Sequence, residues 1–154
     1  MDDEKTPMGM ALEVLLVEDS PGDVRLTKEA FREANRSINL HVACDGVEAM
    51  AFLRKQGPHS GAPRPHLILL DLNLPKMDGR EVLAYVKEDQ DLKTIPTVIL
   101  TTSEAEADIV TSYQLQANCY LSKPVQLDEF EALVKSINDF WLTKVRLPPQ
   151  KHYA

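Results

Sequence analysis

PHLILLDLNLPKMDG, residues 65–79, is the stretch whose reading decides the fold. Leu67 to Leu70 is a continuous apolar run without polar alternation, the pattern of a strand covered on both faces, as in a parallel sheet flanked by helices. Asp71 follows at once. A carboxylate is a poor strand former and costly to bury, so an aspartate at the end of such a strand needs a reason. Open parallel sheets bind ligands outside the carboxyl ends of their strands, which is where Asp71 falls. Pro75 and Asp78-Gly79 mark a turn, with Asp78 placed to cap the next helix and Glu81 to complete a capping box. Taken alone, Asp71 could equally be a capping or ion-paired residue. The other acidic residues decide between the two readings.

Working outward, Leu12 to Val17 (LEVLLV) is a second apolar run, followed directly by Glu18-Asp19-Ser20-Pro21. Ser20 reads as an N-cap, Pro21 as the first helical residue and Asp23 as a first-turn acid. Leu26, Ala30 and Phe31 recur at helical spacing, and residues 35–39 close that helix. Residues 38–43 (INLHVA) form a weaker strand. Asp45-Gly46-Val47-Glu48 repeats the capping pattern before a helix bearing Ala49, Phe52 and Leu53. Residues 56–65 hold two Gly and three Pro, which makes them a loop.

Beyond the central strand, a helix from Gly79 to about Asp89 carries Val82, Leu83 and Val86. Pro96 introduces TVILTT, a fourth strand ending in Thr101 and Thr102. Ser103 and Glu106 read as a capping box over a helix to about Leu115. Residues 118–121 form a short fifth strand, followed by Ser122-Lys123-Pro124. The last helix, about Gln126 to Lys144, places Leu127, Phe130, Val134, Ile137 and Trp141 on one stripe and leaves Leu133, Phe140 and Leu142 largely outside it. Five strand–helix alternations with short connections predict an α/β fold: a doubly wound five-stranded parallel sheet of flavodoxin-like order with a C-terminal extension. The expected division is a flexible N-terminus over 1–10, one domain over 11–145, and a tail over 146–154 with two prolines and little else to order it.

The length of 154 residues fits a single domain. No apolar run approaches the ~20 residues of a membrane span, and MDDEKTPMGM lacks the apolar region of a secretory signal. A net charge of −7 without a basic face argues against nucleic-acid binding. Cys44 and Cys119 have no metal-ligand spacing, and each is read as a buried free thiol in an apolar strand, which fits a reducing cytoplasm.

Four of the five strands end in residues that can do chemistry: Glu18 and Asp19, Asp71, Thr101, and Lys123. The fold gathers all of them on one rim. Three close carboxylates repel one another, and a divalent hard cation is the usual means of keeping them ionised. Mg²⁺ suits such ligands and binds beside phosphate, so the Thr101 hydroxyl and Lys123 ammonium read as partners for phosphoryl oxygens. Asp71 is then the nucleophile, since a carboxylate can carry a phosphoryl group as an acyl phosphate. Each residue has a plain structural alternative: a loop acid beside a helix N-terminus, a strand threonine, a solvated lysine. The agreement of four strand ends favours the functional reading.

VEDS at 17–20, LLDLNLPKMDG at 69–79, ILTTS at 99–103 and YLSKP at 120–124 together resemble the receiver domain of two-component response regulators. The match covers nearly the whole chain. The resemblance implies that Asp71 is the phosphoacceptor, that Glu18 and Asp19 are the acidic Mg²⁺ pair, and that the Asn73 backbone carbonyl is a further ligand. It also implies that Thr101 is the switch hydroxyl, Tyr120 the switch aromatic, and Lys123 the residue bridging to the phosphoryl group, with a commonly cis Lys123-Pro124 bond. SPGDVRLTKEAF at 20–31, the proline-rich loop, LNLPKMDGREVL at 72–83 and FWL at 140–142 are similar to the phytochrome-associated response regulators. Thr102 departs from the smaller residue common in receivers, which bears on the phosphorylated lifetime.

The reading is therefore a stand-alone cytoplasmic receiver, a phosphoacceptor rather than an enzyme. It takes its phosphoryl group from a histidine kinase, by resemblance a phytochrome, and signals through a changed protein-binding surface to an unidentified downstream protein. A homodimer through the fourth and fifth helices and the strand between them, helped by the C-terminal extension, is expected, and no nucleic acid or membrane partner. One alternative is a phosphorelay intermediate for another sensor kinase. Another is a Mg²⁺-dependent aspartyl-phosphate phosphotransferase, but Asn73 stands where such enzymes typically carry a second acid. A flavin or dinucleotide protein is weaker still, since no G-x-G-x-x-G or P-loop occurs.

Overall fold

The computed structural model describes residues 11–33 and 37–150. The expected flexible stretch 1–10, part of the segment expected to close the first helix, and the end of the tail lie outside the described residues. Five strands, β1 (Leu12–Val17), β2 (Ile38–Ala43), β3 (Leu67–Leu70), β4 (Thr97–Thr101) and β5 (Cys119–Ser122), pair in parallel in the order β2-β1-β3-β4-β5. This is the flavodoxin-like order. The helices are α1 (Pro21–Arg32), α2 (Gly46–Arg54), α3 (Gly79–Glu88), α4 (Glu106–Gln114) and α5 (Leu127–Trp141). A short 3₁₀ turn, Gly57–His59, interrupts the loop before β3.

Alternation along each strand sends side chains to two cores. Leu15, Val17, Ile68, Leu70 and Ile99 pack under Ala49, Phe52, Val82, Leu83 and Val86 of α2 and α3. Val14, Leu16, Leu67, Leu69, Val98 and Leu100 pack against Phe31 of α1 and Phe130, Val134 and Ile137 of α5. All four residues of β3 are fully buried, because both faces of the central strand are covered. The register aligns Val17 with Leu70, Leu70 with Ile99, and Thr101 with Ser122. Residues just past β1, β3, β4 and β5 therefore share one edge of the sheet.

Local capping follows the sequence at three helices. Ser20 accepts from the Asp23 N–H, Asp45 accepts from the Glu48 N–H, and Asp78 with Glu81 forms a full capping box. At α4 it does not. Ala105 is the N-cap and makes no side-chain cap bond, while the Ser103 hydroxyl is drawn away to Asp108 at 2.6 Å.

Several expectations are corrected. Leu127, placed on the buried stripe, is the first residue of α5 and stands exposed before the helix reaches the sheet. Leu142, expected outside the stripe, is 1% exposed: the chain turns back there, with Lys144 N and Val145 N both donating to the Phe140 carbonyl at 2.9 Å. Leu133 and Trp141 are half-buried against the α1/α5 core, and Phe140 is exposed. The tail is held as far as Gln150, since Leu147 packs on that core and Gln150 Nε2 donates to the Arg64 carbonyl at 2.8 Å. Cys44 lies one residue past β2 and is exposed, so it is not a buried strand thiol; Cys119 is in β5 and half-buried, and both are free. No cis peptide occurs among the described residues, so the Lys123-Pro124 bond is trans rather than cis.

Candidate functional site

Backbone bonds carry the sheet pattern one residue past the strands and fix the bases of the rim. Glu18 N donates to the Ala43 carbonyl at 2.9 Å, Asp71 N to that of Val17 at 3.1 Å, and Lys123 N to that of Thr101 at 2.6 Å. The residues named by the strand-end argument thus start from positions that the ladder itself sets. Glu18, Asp19 and Asp71 each offer one carboxylate oxygen, and the three lie within 4.8 Å of one another. Glu18 and Asp71 are buried and Asp19 is exposed, so the cluster is open on one side.

The Lys123 ammonium reaches into this cluster, donating to Glu18 Oε1 at 2.6 Å, Asp23 Oδ2 at 2.9 Å and Asp71 Oδ2 at 3.4 Å. Burial alone would lower the Lys123 pKa, but hydrogen bonds to Glu18 and Asp23 and the charges of Glu18 and Asp71 reverse that, and the net shift is upward. Burial raises the Glu18 pKa; Lys123 opposes the rise and Asp71 adds to it. An ion pair would ordinarily move its two members in opposite directions. Here both go up: at Glu18 burial outweighs Lys123, and at Lys123 the surrounding carboxylates outweigh burial. The donors are all hard oxygens with surplus negative charge, which is the chemistry a hard divalent cation requires.

Asp23 is the site residue the sequence reading missed. It was assigned only to the first turn of α1. Its N–H is indeed taken by the Ser20 cap, at 3.3 Å, but its carboxylate turns back over the end of β1 to Lys123. Its place three residues after an N-cap that itself follows the acidic pair could have shown this, since first-turn side chains point towards the helix N-terminus.

Thr101 is fully buried, and its hydroxyl has no hydrogen-bond partner among the described residues. Asn73 N donates to Asp71 Oδ1 at 3.3 Å, which keeps Asn73 at the mouth of the site. The Tyr120 hydroxyl donates to the Ser103 carbonyl at 3.0 Å, and burial raises its pKa. Ser103 in turn belongs to a network: its hydroxyl donates to Asp108, whose other oxygen receives Arg80 Nη2 at 2.7 Å, and Arg80 also holds Asp78. Thr102 is exposed. On the opposite wall Gly79 is required by close approach, because a Cβ there would lie 2.1 Å from the Asp71 carbonyl oxygen.

The geometry brings Glu18, Asp19, Asp71 and Lys123 together as the strand-end argument expected and adds Asp23. Thr101, at the end of β4, keeps its hydroxyl without a partner among the described residues, and the Tyr120 hydroxyl is turned to Ser103.

The family model described as the response regulator receiver domain matches residues 14–135. Response regulator Rcp1 from Synechocystis sp. is 50% identical over 148 residues, spanning 96% of this chain and 99% of Rcp1. The solved Mn²⁺-bound form of Rcp1 superposes with a TM-score of 0.88 at 51% identity, over 90% of this chain and 99% of that one. The phosphorylated cyanobacterial phytochrome response regulator RcpA gives a TM-score of 0.88 at 48% identity, over 91% of this chain and 100% of its own.

Proposed function

Since the chain belongs to the response regulator receiver family, we propose that it is a stand-alone receiver whose Asp71 accepts a phosphoryl group from a kinase phosphohistidine. The observation that carries this is the acidic cluster itself: carboxylate oxygens within 4.8 Å, with the Lys123 ammonium 3.4 Å from Asp71. In the transfer an Asp71 oxygen forms the bond to phosphorus as the phosphorus–nitrogen bond breaks, and its electron pair leaves with the imidazole. Lys123, already aimed at Asp71, is positioned to follow the charge onto a phosphoryl oxygen.

Glu18, Asp19 and Asp71, with the Asn73 backbone carbonyl, would hold Mg²⁺. When bound, this ion supplies charge neutralisation for the carboxylates and the incoming phosphoryl oxygens. That Rcp1 has been solved in a Mn²⁺-bound form supports the assignment. The unpartnered Thr101 hydroxyl gains a strong acceptor on phosphorylation, and Tyr120 then exchanges its bond to Ser103 for the space Thr101 leaves. Local charge thereby biases a surface element between two states. Nothing in this chemistry turns over a separate substrate, so the protein acts as a phosphoacceptor switch.

The partner kinase is a phytochrome in this reading, supported by 48% identity to RcpA, which is named as a phytochrome response regulator. A cytoplasmic location follows from that partner. Among the described residues no helix is long and apolar enough to cross a membrane. The receiver unit is assigned to residues 11–145, with the segment from 146 as an appended tail. A homodimer uses the apolar surface of α4 and α5, where Val110, Tyr113 and Phe140 are about half exposed. Of Leu133, Phe140 and Leu142, the burial of Leu142 and partial burial of Leu133 leave Phe140 as the exposed one.

Incubation with acetyl phosphate, with and without EDTA, followed by intact mass measurement tests the central reading. The wild type takes up one phosphoryl group in Mg²⁺. Labelling that persists in Asp71→Asn, or in EDTA, overturns it. Light scattering tests the dimer, and Phe140→Asp should give a monomer.

A further inference from the structure

We propose that Arg80 is a positioning residue of the switch: through Asp108 and Ser103 it keeps the β4–α4 loop in place with Tyr120 on the Ser103 carbonyl, and so opposes switching. The proposal rests on the receiver reading above and adds a residue outside the acidic cluster. Arg80 is the second residue of α3, directly after Gly79, whose backbone lies against that of Asp71. Its base is therefore fixed relative to the phosphoacceptor. Its guanidinium divides between two helices. Nη1 donates to both Asp78 oxygens at 2.9 and 3.0 Å, and Nη2 donates to Asp108 Oδ1 of α4 at 2.7 Å.

Asp108 passes the constraint on. Its other oxygen accepts the Ser103 hydroxyl at 2.6 Å, and that hydroxyl accepts from Ala105 N at 3.3 Å. With Ser103 so held, its carbonyl accepts from the Tyr120 hydroxyl at 3.0 Å and the Ser122 hydroxyl at 3.4 Å. A continuous chain of hydrogen bonds, charge-assisted at its α3 end, thus runs from the start of α3 to the aromatic residue assigned to the switch. Packing gives α4 little other hold. Its one buried residue is Ser112, whose hydroxyl has no partner among the described residues, whereas α3 buries Val82, Leu83 and Val86. Holding the start of α4 falls largely to the polar chain.

The direction of the effect follows from connectivity. Thr101 lies two residues before Ser103, so movement of Thr101 towards a phosphoryl group on Asp71 pulls on Ser103. Tyr120 cannot follow while its hydroxyl is bonded to the Ser103 carbonyl. Loss of Arg80 loosens Asp108, then Ser103, and the equilibrium moves towards the switched state. By reciprocity, a chain that disfavours that state also weakens binding of a phosphoryl mimic at Asp71. Lysine is not equivalent at position 80, because a single ammonium lacks the planar fork that meets Asp78 and Asp108 at once. The Arg80 and Asp108 side chains are 28% and 24% exposed, so the pair is partly screened and its effect is a few-fold rather than orders of magnitude.

The test is a ¹⁹F NMR titration of the full chain, labelled with 3-fluorotyrosine, with beryllofluoride in Mg²⁺. Tyr120→Phe identifies the Tyr120 signal, and the fluorides of bound beryllofluoride report occupancy independently. In the wild type, binding should move the Tyr120 signal. In Arg80→Met that signal should lie part of the way to the bound position before any beryllofluoride is added, and beryllofluoride should bind about three- to five-fold more tightly. Arg80→Lys should fall between the two. Asp108→Ala should act in the same direction, and the double variant should gain no more than the larger single effect, since both act through one chain. If the wild type responds but Arg80→Met keeps its signal and affinity, or only lowers Tm with Tyr120 unmoved, the positioning role is overturned and the receiver reading stands. Additive gains in the double variant overturn it as well. A wild type that binds no beryllofluoride overturns the receiver reading, and the role of Arg80 with it.

Discussion

Lys87 and Lys123 sit at opposite ends of one sheet, and each gives its ammonium to three oxygens. Lys123, past the end of β5, meets carboxylates of Glu18, Asp23 and Asp71. Lys87, on α3, meets the backbone carbonyls of Lys93 and Ile95 ahead of β4 and the side-chain carbonyl of Asn118 ahead of β5, each at 3.0 Å. The pKa shifts run in opposite senses. Desolvation lowers that of Lys87, where no anion compensates, while the surrounding carboxylates raise that of Lys123. Neutral dipoles suffice to pin two strand entrances together. A surplus of carboxylates does something else: it leaves negative charge that an ion or a phosphoryl transfer can use. The amino ends of the strands are thus scaffold, and the carboxyl ends carry the proposed chemistry.

The largest test separates the two lysines by their response to divalent ions. Lys123→Met leaves buried carboxylates without their ammonium and should cost about 3 kcal/mol in urea unfolding with EDTA present. Lys87→Met should cost about 1–2 kcal/mol, from carbonyls left without a donor. Addition of Mg²⁺ should stabilise Lys123→Met more than the wild type, and Lys87→Met no more than the wild type. Equal gains in both variants would break the comparison.

A smaller effect appears in alkali. The folded Lys87 has a pKa below its ordinary 10.5, so between those values the unfolded chain holds more protons, and stability rises with pH across that window. Lys123 has a folded pKa above 10.5, so its contribution is fully present below 10.5 and is lost only as pH climbs through the folded value. Wild type minus Lys87→Met should therefore show a positive slope in unfolding free energy just below pH 10.5. A flat difference would remove Lys87 from the argument.

The smallest effect sharpens the contrast within β4. Thr97 and Thr101 are both fully buried, but the Thr97 hydroxyl donates to the Ile95 carbonyl at 3.2 Å, while that of Thr101 has no partner among the described residues. Thr97→Val should cost about 1 kcal/mol, and Thr101→Val should be neutral or stabilising by a few tenths. If Thr101→Val destabilises as much as Thr97→Val, the hydroxyl is structural and its place in the proposed switch is lost.

The rim was legible because each of its main residues directly follows an apolar run, so sequence adjacency and spatial position coincide. β1, β2 and β3 were legible to the residue for the same reason. Lys87 was not, since its partners arrive from two loops separated in sequence and nothing local marks them. Asp23 was assigned a capping-turn role and stopped there, because a first-turn acid already has a sufficient local explanation. The start of α4 was misplaced because Ser103 lies two residues before the N-cap Ala105, and its hydroxyl meets Ala105 N and the Asp108 side chain instead of a free backbone N–H of the first turn. Leu142 followed helical periodicity past the point where the helix had ended.

Gly79 sets which way the site can yield. With no side chain at 79, the start of α3 lies directly against the Asp71 backbone, and the Leu72 carbonyl accepts from both Gly79 N at 2.8 Å and Leu74 N at 3.2 Å. That wall is stiff: backbone is packed on backbone, with no slack to take up. The facing wall, from Thr101 to Ala105, is tied by the Tyr120 and Ser122 hydroxyls to one carbonyl and by Ser103 to Asp108. Side-chain ties of this kind are compliant. A load applied at Asp71 therefore has one soft direction, towards α4 and β5, and filling the gap with Gly79→Ala would push the stiff wall off its seat without opening a second route.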